Sequence, residues 1–87
     1  MKNRIYLGTE ADCMEFCNVA SNLPGNISLV NEDGRYRVNA KSILGCLMVS
    51  AEWGDIVYVE TDAENDYYSA FEKWIINQAD DGAFVHN

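Results

Sequence analysis

Residues 27–44 read Ile27-Ser28-Leu29-Val30-Asn31-Glu32-Asp33-Gly34-Arg35-Tyr36-Arg37-Val38-Asn39-Ala40-Lys41-Ser42-Ile43-Leu44. Ile27 and Leu29 alternate with Ser28 and Val30, the period of two that marks a strand. Glu32-Asp33-Gly34 supplies turn residues, and Tyr36 and Val38 resume the alternation, so the segment predicts a β-hairpin. From Ser42 the period changes. Ile43, Leu44, Leu47 and Met48 follow helical spacing over a short stretch that ends before Trp53-Gly54-Asp55.

The flanks extend this pattern in both directions. Upstream, Ile5 and Leu7 flank Tyr6 as a first strand ending at Gly8. Thr9-Glu10-Ala11-Asp12 then opens a helix, because the Thr hydroxyl can accept from an early amide and the acids suit the positive end of the helix dipole. Cys13, Phe16, Cys17 and Ala20 fall on one buried face of that helix, and Pro24-Gly25 stops it. Downstream, Ile56 to Glu60 is a β-branched and aromatic run for a fourth strand. Asp62 to Asp66 offers caps for a last helix with Tyr67, Phe71, Trp74, Ile75 and Gln78 on one stripe. The order is β-α-β-β-α-β-α. It predicts an α+β open-faced two-layer sandwich, a mostly antiparallel four-stranded sheet with three helices on one face.

Size and charge bound the function. Eighty-seven residues, 48% hydrophobic and 23% charged, suffice for one core and one domain. Residues 1–79 are expected to form it, with 80–87 a tail in which Ala83-Phe84-Val85 can dock or stay apart. A net charge of −8 argues against binding a nucleic-acid backbone or an anionic membrane. No apolar run is long enough for a signal peptide or a span, so a cytoplasmic protein is expected. Cys13, Cys17 and Cys46 are an odd set that reads as reduced thiols. Cys13 and Cys17 share a face, but no second Cys or His pair stands at ligand spacing, so burial is expected and neither metal nor cofactor. Cys46 has only Lys41 nearby to lower its pKa and reads as inert.

The run Val38-Asn39-Ala40-Lys41-Ser42-Ile43-Leu44-Gly45, with Asp33 to Arg37 before it, closely resembles the regulatory-serine region of HPr, the histidine-containing phosphocarrier of the bacterial phosphotransferase system. Gly54-Asp55 and Ala63-Glu64-Asn65-Asp66 sit where that family has its corresponding Gly and acidic turn, and the element order is the HPr order. The resemblance implies an HPr-like fold and protein partners. One motif departs from it. The family's Gly-Leu-His-Ala-Arg-Pro-Ala type carrier site is represented by Leu7-Gly8-Thr9-Glu10-Ala11-Asp12-Cys13, which is shortened and holds no His, Arg or Pro; the one His of the chain is His86. Phosphohistidine transfer needs an imidazole nucleophile at a positive site, so carrier chemistry is not expected, nor is any catalytic residue.

Ser42 passes the same test. It precedes a helix, where free amides and the dipole favour a phosphate carrying about −1.5 to −2 charges. Gly34 to Ala51 contains Arg35, Arg37 and Lys41 and no acid, a charge of +3, while the remainder, with three basic and fourteen acidic residues, carries −11. The resemblance implies modification of Ser42 by an HPr kinase/phosphorylase and an apolar patch of Ile43, Leu44 and Leu47 read by a transcriptional regulator or another protein, as in the family's catabolite-repression branch. Trp53 is a further candidate anchor. The residues alone leave blander roles open: Ser42 as a helix cap, Arg35, Arg37 and Lys41 as a solvated hairpin face, and Trp53 as packing. The alternative function is an HPr-fold protein-interaction domain that is never phosphorylated.

Overall fold

The computed structural model describes residues 1–62 and 64–76. The elements are β1 (Lys2–Tyr6), α1 (Glu10–Ser21), β2 (Ile27–Val30), β3 (Arg37–Asn39), α2 (Ile43–Glu52), β4 (Ile56–Thr61) and α3 (Tyr68–Phe71), the last continued by a 3₁₀ turn over Glu72–Trp74. The four strands form one antiparallel sheet in the order β1-β4-β2-β3. The expected sandwich is therefore present, with its central strands, β4 and β2, far apart in sequence.

Alternation decides which sheet face is covered. Ile27, Leu29, Val57 and Val59 are buried toward the helices, with Ile5 and Leu7 beside them. Against them lie Cys13, Phe16, Cys17 and Ala20 of α1, Cys46 and Val49 of α2, and Phe71 and Trp74. The α1 face is the one the sequence spacing predicts, whereas α2 turns Cys46 and Val49 to the core and leaves Ile43 and Leu44 of the expected stripe exposed, with Leu47 and Met48 only partly buried. Phe16 organises the aromatic part of the core: its ring centroid lies 4.8 Å from that of Phe71 and 5.3 Å from that of Trp74, the latter edge-on. The open face carries Lys2, Arg4, Tyr58, Glu60 and Arg37, with Val30 buried between its cross-strand neighbours Tyr58 and Arg37.

Local chemistry explains the boundaries. The Thr9 hydroxyl accepts from the Asp12 amide at 3.0 Å, and Glu10 and Asp12 occupy the first turn of α1. The hairpin turns through Gly34 at φ +79°, a conformation that favours glycine, with its amide on the Asn31 carbonyl at 2.9 Å. Asn31 in turn holds the Tyr36 amide with its side chain at 3.0 Å, which aligns the two strands.

Two boundaries differ from the sequence expectation. The first strand begins at Lys2, because residues 2–6 pair in register with Glu60 back to Ile56, and Leu7 follows the strand with its amide on the Asp55 carbonyl. The last helix is a single α turn plus a 3₁₀ turn. Asp66 accepts from the Tyr68 amide at 3.1 Å at its start, but Ile75 is extended and bridges to Ile5, and the Ile76 amide bonds the Arg4 carbonyl at 2.8 Å. Ile75 is thus buried at the outer edge of β1, not on a helical stripe; the edge strand offers backbone partners that another helical turn would not satisfy. Gln78 and the tail lie outside the described residues, as does His86.

Candidate functional site at the start of the second helix

Ser42 is the residue that turns β3 into α2. Its backbone is extended, at φ −94° and ψ 117°, and its hydroxyl accepts from the Gly45 amide at 3.2 Å. Its own amide donates to the Asn39 carbonyl at 3.0 Å, and the Asn39 side chain takes the Lys41 amide at 2.9 Å. Ala40, buried and bonded through its amide to the Ile27 carbonyl, anchors the connection to the sheet. The serine is held at its backbone while its side chain stays exposed. No acidic residue occupies the first turn of α2, in contrast to α1.

The neighbouring apolar residues are only partly used by the core. Ile43 is 40% and Leu44 76% exposed, while Leu47, one turn further, is half-buried and packs on the core. Lys41 is half-buried beside them. These four and Ser42 are brought together. Trp53 closes the opposite end of the ten-residue helix, about 15 Å away by helical rise. Its amide caps the Val49 carbonyl and its side chain is half-buried.

The two arginines sit elsewhere. Arg35 is exposed in the hairpin turn, where its amide bonds the Asp33 carboxylate at 2.9 Å. Arg37 projects onto the open face of the sheet and pairs with Glu60 at 2.9 Å, with Lys2 on the same carboxylate at 3.9 Å. The basic segment of the sequence is therefore divided between the hairpin turn, which holds Arg35, and the open side of β3, where Arg37 and Lys41 border one groove.

The first turn of α1 carries acids where a phosphoryl group would need cations. Thr9 is committed to the cap, Glu10 and Asp12 occupy the positive end of the helix, and residues 7–13 contain no His, Arg or Lys. Gly8 is covered by the Tyr6 ring, so a Cβ there would meet the Tyr6 Cε1 at 2.6 Å.

All three thiols are buried and free. Burial, and after it the neighbouring Cys17 and Cys13, pushes the Cys46 thiol up to about 12, and its Sγ lies 3.2 Å from the Ala40 carbonyl oxygen. Burial also raises Cys13 above its ordinary value, reinforced by Asp12, Glu10 and Asp55 and opposed by a Ser50 hydrogen bond. Neither is a nucleophile at neutral pH. Among the described residues no group of three His, Cys, Asp or Glu is placed to hold a metal ion, and no helix is long and apolar enough to cross a membrane.

One surface feature escapes sequence reasoning. Tyr36, 61% exposed, joins Val38, Met48, Glu52, Trp53 and Arg37 around a groove of about 330 Å³. Tyr36 is in step with Val38, so nothing local distinguishes it from a core-facing strand residue, yet it precedes β3, which begins at Arg37, and its ring stays exposed.

The comparisons agree with this architecture. The family model of the PTS HPr component phosphorylation site matches residues 12–75. Among solved structures the chain is similar to the crystal structure of HPr-C-His from Thermoanaerobacter tengcongensis, with 21% identity over 83% of each chain and a TM-score of 0.61, a likeness of fold. No curated protein matches the chain. With the family model spanning most of the sequence and the sheet order and helix placement in accord, the chain belongs to the HPr family of phosphotransferase-system components.

Proposed function

We propose that this HPr-family chain is a regulatory protein without phosphohistidine carrier activity, phosphorylated on Ser42 by an HPr kinase/phosphorylase and then read by a partner protein such as a transcriptional regulator. It acts in the cytoplasm through protein contacts and catalyses no reaction itself. The observation that carries the reading is the exposed Ser42 hydroxyl at the amino end of α2, free of acidic neighbours in that turn and bordered by exposed Ile43 and Leu44. A phosphate there would accept from the first amides of the helix and gain from its dipole. Lys41 adds a cation one residue away, and Leu47 extends the apolar border. Arg35 and Trp53 mark the outer limits of a surface that a partner can reach, and Arg37 contributes from the sheet side. The erased carrier loop, with Glu10 and Asp12 in place of cations, supports regulation over transfer.

The test is phosphate incorporation from ATP with an HPr kinase/phosphorylase, mapped by peptide mass spectrometry, on the protein and on Ser42→Ala. One phosphate on Ser42, absent from the variant, is expected. Incorporation that persists in Ser42→Ala contradicts the assignment.

A second reading rests on the Ser42–Gly45 hydrogen bond, which already employs the hydroxyl. On that reading Ser42 is a cap and the exposed Ile43 and Leu44 bind a partner with no phosphate. Absence of incorporation, together with a partner whose binding is lost in Leu44→Asp, selects it.

A further inference from the structure

β3 is the edge of the sheet, and its hydrogen-bond phase can be read from its neighbours. Leu29 faces Val38, and the bonds from Asn31 N to Tyr36 O and from Ala40 N to Ile27 O place the bonded pairs at positions 36, 38 and 40. The alternation of an antiparallel ladder then turns the N–H and C=O of Arg37 and the N–H of Asn39 away from β2, toward the edge. These groups form a short template for an added strand.

The two sides of that edge differ in chemistry. On the helix side lies a groove of about 330 Å³, in which Tyr36, Val38, Met48 and Trp53 are joined by Arg37 and Glu52. On the open side lies a second groove of about 550 Å³, lined by Ser28, Arg37, Asn39, Lys41 and Asp62 among others. Its one carboxylate, Asp62, already accepts from the Asn26 amide at 3.1 Å. Arg37 shares Glu60 with Lys2, whereas Lys41 has no ion pair among the described residues. The edge thus offers a largely apolar slot, with Glu52 as its one carboxylate, and a cationic slot on opposite faces of one strand, which is the spacing of successive side chains in an extended peptide. It also belongs to the one segment of the chain that carries +3 while the remainder carries −11.

We propose that the β3 edge binds an extended segment of another protein in which large apolar and acidic residues alternate. Arg37 would supply both backbone bonds to one residue of that segment, whose acidic side chain meets Arg37 and Lys41. The next side chain enters the groove between Tyr36 and Trp53. This surface adjoins Ser42 through Lys41, but its backbone bonds at Arg37 and its groove at Tyr36 and Trp53 do not require phosphorylation.

The probe is a synthetic hexapeptide alternating Asp with Phe and Leu. Its controls are a peptide of the same composition with the acids grouped at one end, and a peptide with Lys in place of Asp. Binding is followed by amide NMR shifts and hydrogen exchange of the full chain. The alternating peptide is expected to slow exchange at the Arg37 and Asn39 amides, and each control to bind at least about tenfold more weakly. Arg37→Pro removes the outward donor and the charge without touching a bond to β2, and Arg37→Gln removes the charge alone. The first is expected to weaken binding by about tenfold or more and the second by a few-fold, with the circular dichroism spectrum unchanged. If Arg37→Pro unfolds, Arg37→Gln and Tyr36→Ser carry the test. No binding, equal binding of all three peptides, shifts confined to the start of α2, or concentration-dependent shifts at the same amides without peptide, which would place a second copy on the edge, each overturn the proposal.

Discussion

Replacing Ser42 by alanine separates the structural from the regulatory role of that side chain. In the unmodified protein the Ser42 hydroxyl satisfies one of the four amides that α2 cannot bond internally, through the 3.2 Å bond from Gly45. Loss of an N-cap of this kind costs about 0.5–2 kcal/mol, and an exposed bond at the long end of the normal range points to about 1 kcal/mol. For a domain of this size that corresponds to a fall in Tm of about 4–8 °C. Ser42→Asp keeps an acceptor at the same place and puts a negative charge on the positive end of the helix dipole, so its Tm should stay within about 2 °C of the parent. The assay is thermal unfolding by circular dichroism at neutral pH for the three proteins. A Ser42→Ala variant as stable as the parent, or a Ser42→Asp variant as unstable as Ser42→Ala, would refute the cap geometry from which the phosphate-binding argument starts.

Other consequences are equally concrete. Leu44→Asp, at a position 76% exposed, should change stability by less than about 0.5 kcal/mol while abolishing partner capture by the Ser42-phosphorylated protein; a large loss of Tm would show that Leu44 is structural. Phe16→Ala, which removes the ring shared by Phe71 and Trp74, should cost about 3–5 kcal/mol in denaturant unfolding, a large part of the stability of a small domain. Cys46, with its pKa pushed from 9.0 to about 12, should resist a small alkylating reagent in the native state at pH 8 and react once urea unfolds the chain. Because the folded state holds this thiol protonated while the unfolded state ionises near 9, the stabilisation it confers is complete below pH 9. It is lost progressively as the pH rises toward 12, so unfolding free energy measured by urea titration should decline over that window.

Much of this molecule is legible in its sequence because its patterns are local. The period of two at Ile27 and Leu29 and the helical spacing of Cys13, Phe16, Cys17 and Ala20 each name the buried face that the structure uses. The cap at Thr9 and the turn at Gly34 are equally local, since each depends on residues within three positions. What spacing could not give depends on distant partners. Ile75 fits a helical stripe with Phe71, yet it pairs with Ile5, seventy positions away, because β1 is left with an open edge. Arg37 sits within a basic run beside Ser42, but strand alternation sends it to the far face of the sheet, where Glu60 waits on β4. Of the candidate surface, Ile43, Leu44 and Leu47 lie within the first turns of α2 beside its cap Ser42, while Lys41 also borders the open-side groove with Arg37. Arg35 and Trp53 do not join them, since a turn and a full helix intervene. The Tyr36–Trp53 groove was invisible for a related reason: it is made where the end of α2 meets the hairpin, two segments distant in sequence.

In the proposed function, phosphate reaches this HPr-family protein at a serine and not through a carrier histidine. This is tested most directly by intact-mass measurement of the purified protein after two parallel reactions, one with ATP and an HPr kinase/phosphorylase, the other with phosphoenolpyruvate and enzyme I. A single added phosphate on Ser42 is expected in the first reaction and an unchanged mass in the second. An acid-labile phosphate acquired from enzyme I, with Ser42 unmodified by the kinase, would contradict it.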